Sequence, residues 1–175
     1  MSASQDTTQL KPVVSVVMGS DSDMPKMEGC LEVLQEFGVP CEVNVISAHR
    51  TPGDAQDFAK NADARGIRVI IAAAAGAAHL AGVLASLTAL PVIGVPISSS
   101  ALQGVDALYS TVQMPPGVPV ATVGIDGSRN AAILAVQILG VADPRLRAEL
   151  LAYKERLAAG VRQKSRNLKE KLNPA

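Results

Sequence analysis

Residues 13–38 read VVSVVMGSDSDMPKMEGCLEVLQEFG, the first unit of the pattern that decides the fold. VVSVVM (13–18) is a short β-branched run of the kind buried on both faces of a parallel sheet. MPKMEGCLEVLQEFG (24–38) carries apolar residues at helical spacing and stops at Gly38. The alternation then repeats. CEVNVIS (41–47), IRVIIAA (67–73), PVIGVP (91–96) and VPVATV (118–123) read as strands. Between and after them, Pro52 opens a helix to about Ala64, and 78–87, 102–112 and 129–139 read as further helices. Strands alternating with helices predict an α/β fold with a parallel sheet covered on both faces. From about Pro144 a long charged helix follows, with Leu146, Leu150, Leu151, Tyr153, Leu157 and Val161 forming a partial apolar stripe. It needs a surface to dock on, either its own core or a neighbouring subunit. One domain is expected over 1–175, with a compact body at about 13–140 and a helical extension at about 143–171.

Composition narrows the function. Of 175 residues, 48% are hydrophobic and 18% charged, which suits an ordered chain able to bury a core. Formal net charge is zero, there is no Trp, and only two Phe and two Tyr are present, so little is available to attract or stack nucleic acid. Charge is uneven: residues 143–175 carry nine Lys/Arg and four Asp/Glu, against seven and twelve in 1–142. Cys30 and Cys41 lack metal-ligand spacing and read as reduced packing residues of a cytoplasmic protein. MSASQDTTQLK (1–11) has no apolar core, so no signal peptide is expected. The longest apolar run, near 69–85, is Ala/Gly-rich and broken by His79, so it reads as a strand plus helix rather than a membrane span.

In open α/β sheets, ligands bind beyond the carboxyl ends of the strands. That rule singles out GSDSD (19–23), SAHRTP (47–52), AAGAAHL (74–80) and PISSSALQG (96–104), and both histidines fall among them. In the first loop a glycine turn feeds a helix start, whose free N–H groups suit a phosphate, with Ser20 and Ser22 as hydroxyl donors. Asp23 has two readings, a helix N-cap or an acceptor for a sugar hydroxyl. In the second loop Arg50 offers a donor fork for phosphate or carboxylate, Ser47 and Thr51 offer hydroxyls, and His49 is the acid/base candidate. The alternative is a helix-start loop in which Thr51 caps and Arg50 is solvated. In the third, small residues from Gly76 to Leu80 let backbone approach a ligand closely, while His79 reads equally as an interior hydrogen-bonded histidine. The spacing supports neither a Ser–His–Asp triad nor a zinc site, and no P-loop or dinucleotide glycine pattern is present.

Taken in order, GSDSD, SAHRTP, GAAHLAG and VQMPPGVPVATV resemble the PurE family over roughly residues 13–140. The resemblance implies a flavodoxin-like three-layer sandwich with a central parallel sheet. It also implies an isomerase of de novo purine synthesis, moving a carboxylate from the exocyclic nitrogen of an aminoimidazole ribonucleotide to ring carbon 4. GAAHL is similar to the mutase type rather than the direct carboxylase, whose corresponding loop is built around Arg-Ser-Asn. Carried onto this chain, the resemblance makes His49 the acid/base and aims Ser20, Ser47 and Arg50 at phosphate, with Ser22 kept as a substrate-binding hydroxyl from the loop reading. It aims Asp23 at ribose, and lines the base and CO2 pocket with Gly76, Ala78, His79 and Leu80. It implies no cofactor and no metal, and a cytoplasmic homo-octamer without nucleic-acid or membrane partners. A carboxylase using CO2 directly and a non-catalytic nucleotide-binding module are the competing readings. Three departures stand out: Met24 where the family often has Trp, AAAAGAAHLAG for its GAGGAAHLPG, and Asp126 and Arg129 where small residues are usual.

Overall fold

In a computed structural model, residues 11–99 and 101–172 are described. The N-terminal stretch examined for a signal peptide lies mostly outside them. The elements are β1 (Val14–Met18), α1 (Met24–Glu36), β2 (Cys41–Val45), α2 (Pro52–Asn61), β3 (Val69–Ala75), α3 (Leu80–Ala85), β4 (Val92–Ile97), α4 (Val105–Val112), β5 (Ala121–Thr122), α5 (Ser128–Gly140) and α6 (Pro144–Leu172). A short 3₁₀ turn, Asp21–Asp23, precedes α1. The chain separates into two compact units after Ala135.

The five strands lie in the order β2-β1-β3-β4-β5, all parallel. This is the flavodoxin-like order, as expected from the resemblance. β1 steps to β2 in one direction, and the chain then runs β3, β4, β5 in the other. Right-handed crossovers therefore put α1 on one face and α2, α3 and α4 on the opposite face. The core agrees. Val17, Ile70, Ala72 and Val92 pack with Ala55, Ala59, Ala62, Leu80, Ala81 and Leu84 on the α2–α3 side. Their strand neighbours Val16, Val69, Ile71 and Ile93, which point to the other face, are fully buried, as are Met27, Cys30, Val33 and Leu34 of α1. Burial pushes the Cys30 thiol up to about 12, and Cys41 nearby adds to this; neither cysteine is in a disulfide.

Element ends differ from expectation where local chemistry intervenes. α1 stops as predicted: Gly38 takes φ +60° and Val39 N donates back to Leu34 O. α2 ends at Asn61 rather than near Ala64, giving way to tight turns that close at Gly66, φ +99°. α3 begins at Leu80 rather than 78 because Ala78 is left-handed, φ +42°. β5 shrinks to two residues paired only with Ile93 and Gly94; Pro119 has no N–H to continue the ladder.

In the second unit α6 runs 29 residues, with Leu146 and Leu150 buried and Leu151, Leu157 and Val161 exposed. Arg147 donates to the carbonyls of Gly140 and Val141, ending α5 with a charge suited to a helix C-terminus. No helix among the described residues is long and apolar enough to cross a membrane.

Candidate active site

The point where the chain reverses its direction across the sheet lies between β1 and β3, and in such sheets the crevice there receives ligands. Three strand ends meet around it. Gly19 N donates to Ala73 O at 3.0 Å and Ile46 N to Met18 O at 2.9 Å, so the loops after β1 and β2 leave the sheet beside the end of β3. Gly19, Ala74 and Ala75 make the floor, and a side chain at Gly19 would meet Ala74 Cβ at 3.8 Å. The result is an open cavity of ≈320 Å³.

The first wall is the turn Ser20–Asp23. Ser20 Oγ accepts from Ser22 N at 3.3 Å and from Ser22 Oγ at 2.9 Å, while its own proton reaches Asp21 Oδ1 at 3.2 Å. Asp23 is only 6% exposed, yet it does not cap α1: its backbone is helical and its carboxylate makes no capping bond. The N-cap reading therefore fails. Burial raises the Asp23 pKa above the usual carboxylate range; the Ser20 backbone N–H works against this and the Asp21 charge adds to it. A carboxylate so poorly solvated at a cavity wall is a strong acceptor for a ligand hydroxyl.

The second wall is SAHRTP, tied into a closed turn. Thr51 N and Thr51 Oγ1 both donate to Ser47 O, at 2.8 and 3.1 Å, and Ser47 N donates to Thr51 Oγ1 at 3.2 Å. Thr51 thus spends its hydroxyl on the turn and does not cap α2, which corrects the capping reading. Arg50 is not simply solvated. Its Nε donates to Ser47 Oγ at 3.3 Å and its Nη2 to Gly19 O at 3.1 Å, fixing the guanidinium across the gap between the first two loops. The remaining N–H donors of the fork are free for an anion.

The third wall is the turn after β3. Gly76 (φ +62°) and Ala78 (φ +42°) are both left-handed, and Ala78 N donates to Ala75 O at 3.2 Å. An alanine held there is backbone strain beside the cavity, sustained by its burial. The turn delivers His79 to His49: His49 Nε2 and His79 Nδ1 lie 2.7 Å apart with the rings edge-on at 86°. Two ring nitrogens at that distance need one proton between them, so one donates and the other accepts. The interior reading of His79 does not hold, since both rings are exposed at the cavity mouth.

Of the residues singled out in sequence, Ser20, Ser22, Asp23, Ser47, His49, Arg50, Ala78, His79 and Leu80 line this cavity. Gly76 does not; it shapes the turn that carries His79. Gly19, Ala48, Ala74 and Ala75 line it without having been named as site residues. Their small size beside a strand end was the available signal. Among the described residues no group of three or more His, Cys, Asp and Glu is placed to hold a metal ion.

Residues 13–160 match the family described as AIR carboxylase. The chain belongs to the AIR carboxylase family. The N5-carboxyaminoimidazole ribonucleotide mutase of Pyrococcus horikoshii is 56% identical over 160 residues, covering 91% of this chain and 90% of its own. The phosphoribosylaminoimidazole carboxylase of Saccharomyces cerevisiae is 58% identical over 134 residues, but that stretch is 24% of its length and 77% of this chain. Among solved structures, Treponema denticola PurE superposes with a TM-score of 0.83 at 29% identity, covering 90% of this chain and 99% of that one. These matches agree with the PurE resemblance read from the four loops.

Proposed function

We propose that the protein is an N5-carboxyaminoimidazole ribonucleotide mutase, converting the carbamate to 4-carboxyaminoimidazole ribonucleotide in purine synthesis. The relatives' name supports the reaction, and the meeting of His49 and His79 at the cavity carries the reading of its chemistry. Arg50, Ser47, Ser20 and Ser22 bind the phosphate, Asp23 accepts from ribose, and the Ala/Gly floor with Ala78 and Leu80 encloses the base and CO2. His49 gives its proton to the exocyclic nitrogen as the carbamate C–N bond breaks, releasing CO2 into the pocket. Ring carbon 4 then attacks that CO2 to form the new C–C bond. His49 takes the carbon-4 proton, so the proton lent in the first half returns in the second and the reaction is a net isomerisation. His79, sharing one proton with His49, holds the acid/base ring in a defined tautomer and orientation. Small residues around the carbon allow a tight enclosure that retains CO2.

The proposed working form is a cytoplasmic homo-octamer. Exposed Val43 and Val45 on edge strand β2, Leu102 just before α4, and Val105, Tyr109 and Val112 on α4 support burial between copies. The yeast relative's name favours one second reading, carboxylation of aminoimidazole ribonucleotide by CO2 directly. Purified protein given each substrate separates the two. Turnover of the carbamate at low bicarbonate supports the mutase. Robust turnover of aminoimidazole ribonucleotide with none of the carbamate would overturn it.

A further inference from the structure

Asp126 is one of the departures from the family pattern, and its surroundings are specific. It occupies a left-handed backbone position, φ +55°, which few residues other than glycine, asparagine and aspartate adopt. Its N–H donates to Pro96 O at 2.9 Å. Its Oδ1 accepts from Ser98 N at 2.9 Å, and Oδ2 accepts from Ser98 Oγ at 2.6 Å and Lys26 Nζ at 2.9 Å. Burial works to raise this carboxyl, but the Ser98 bonds and the Lys26 charge outweigh it and hold it below the usual range.

Neither partner lines the cavity, but each lies on an element next to one of its walls. Lys26 lies in the first turn of α1, three residues after Asp23. Ser98 follows β4, whose Ile97 is in register with Ala75, so Ser98 and Gly76 are the next residues of neighbouring strands. Gly76 opens the turn that carries His79. The surrounding loops leave little play, since a Cβ at Gly104 would meet Ile125 Cγ2 at 2.7 Å and Ser98 Cα at 3.0 Å. Arg129, the companion departure, reinforces the same side: it pairs with Glu32 at 2.6 Å, and its stem covers Gly29, where a Cβ would lie 2.8 Å from Arg129 Cγ. Lys26, Gly29 and Glu32 are spaced three apart and form one face of α1.

We propose that Asp126 is a positioning residue, bracing the Ser20–Asp23 turn against the Gly76–His79 turn by holding Lys26 and Ser98 with one carboxylate. The kinetic part rests on the mutase reading; the brace itself does not. A brace sets where the substrate's phosphate-side contacts lie relative to the histidine pair, so its loss acts on the reacting geometry more than on binding.

The test uses the full chain. Asp126→Gly suits the left-handed backbone and removes the carboxylate together with its methylene. It is expected to lower kcat about tenfold with KM within about threefold. Asp126→Asn and Lys26→Met each remove the α1 tie and are expected to lower kcat about threefold, with no further loss when combined. Amide hydrogen exchange supplies an arm independent of turnover: in Asp126→Gly, residues 20–23 and 76–79 exchange about tenfold faster while β1 and β3 are unchanged. Acceleration confined to one turn, or kcat within about twofold of the parent in Asp126→Gly, overturns the brace. Should Asp126→Gly not fold, a Lys26→Met protein with unchanged exchange in both turns overturns it equally. If the parent itself shows no mutase turnover, the functional reading fails while the exchange arm still decides the brace.

Discussion

Replacing Arg50 by Ala separates its proposed phosphate recognition from everything else the second loop does. Arg50 is exposed, and two of its N–H groups are committed to Gly19 O and Ser47 Oγ. Those two bonds orient the fork, so its remaining donors would meet the proposed phosphate without a large ordering penalty. A hydrogen bond to a charged group is worth about 1.5–3 kcal/mol, and the lower end applies in an open cavity. Two such bonds give about 2–4 kcal/mol, or a loss of roughly 30- to 800-fold in affinity. Calorimetry on the product ribonucleotide and on its dephosphorylated nucleoside forms a cycle. The parent protein should prefer the nucleotide by about that factor, and Arg50→Ala should abolish most of the preference while changing nucleoside affinity about twofold at most. Arg50→Lys, a point charge without the fork, should recover only part of it. An equal loss for nucleotide and nucleoside would instead place Arg50's contribution in loop structure and rule out the phosphate contact.

Two further predictions concern the walls and their support. Asp23→Asn should be more stable than the parent at pH 7, because the folded protein holds the Asp23 carboxyl's pKa above its unfolded value. Between those two pKa values the folded state binds the extra proton, so parental stability falls as pH rises, and the advantage of Asn should vanish as pH drops into the ordinary carboxylate range. The same variant should bind the ribonucleotide more weakly; a pH-independent stability difference, or a loss of stability at pH 7, contradicts the assignment. Gly94→Ala should destabilise the fold by about 1–3 kcal/mol in urea titration, since a Cβ there would lie 2.3 Å from buried Thr111 Cγ2 and 2.9 Å from Val120 Cγ1. A change below about 0.5 kcal/mol would mean that α4 is not packed on β4 as described.

The alternation of β-branched runs with helical spacing made the sheet legible, because strands buried on both faces must be apolar throughout. The site loops were legible for a topological reason: residues just past parallel strands collect at one edge, so Ser20, Arg50 and His79 could be grouped before any contact was known. What escaped was pairing across loops. His49 and His79 are 30 residues apart, and nothing in either loop reports a 2.7 Å contact. That contact depends on β2 and β3 both flanking β1 and on the left-handed turn at Ala78, a residue type that does not advertise positive φ. The capping readings of Asp23 and Thr51 failed for a related reason. Both sit at the predicted helix starts, but Asp23's buried carboxylate makes no capping bond and Thr51's hydroxyl is taken by Ser47. Asp126 had no account in sequence, since its partners Ser98 and Lys26 lie 28 and 100 residues away.

In the proposed mechanism His49 moves the proton while other groups hold the ribonucleotide. The most direct test is His49→Asn, assayed for carbamate conversion and, by calorimetry, for product binding. Asparagine keeps a polar side chain of similar reach but cannot exchange a proton. Turnover is expected to fall by about 10²–10⁴ with product affinity within about threefold of the parent. Retained turnover would contradict the claim, as would a loss of activity that merely follows a loss of binding.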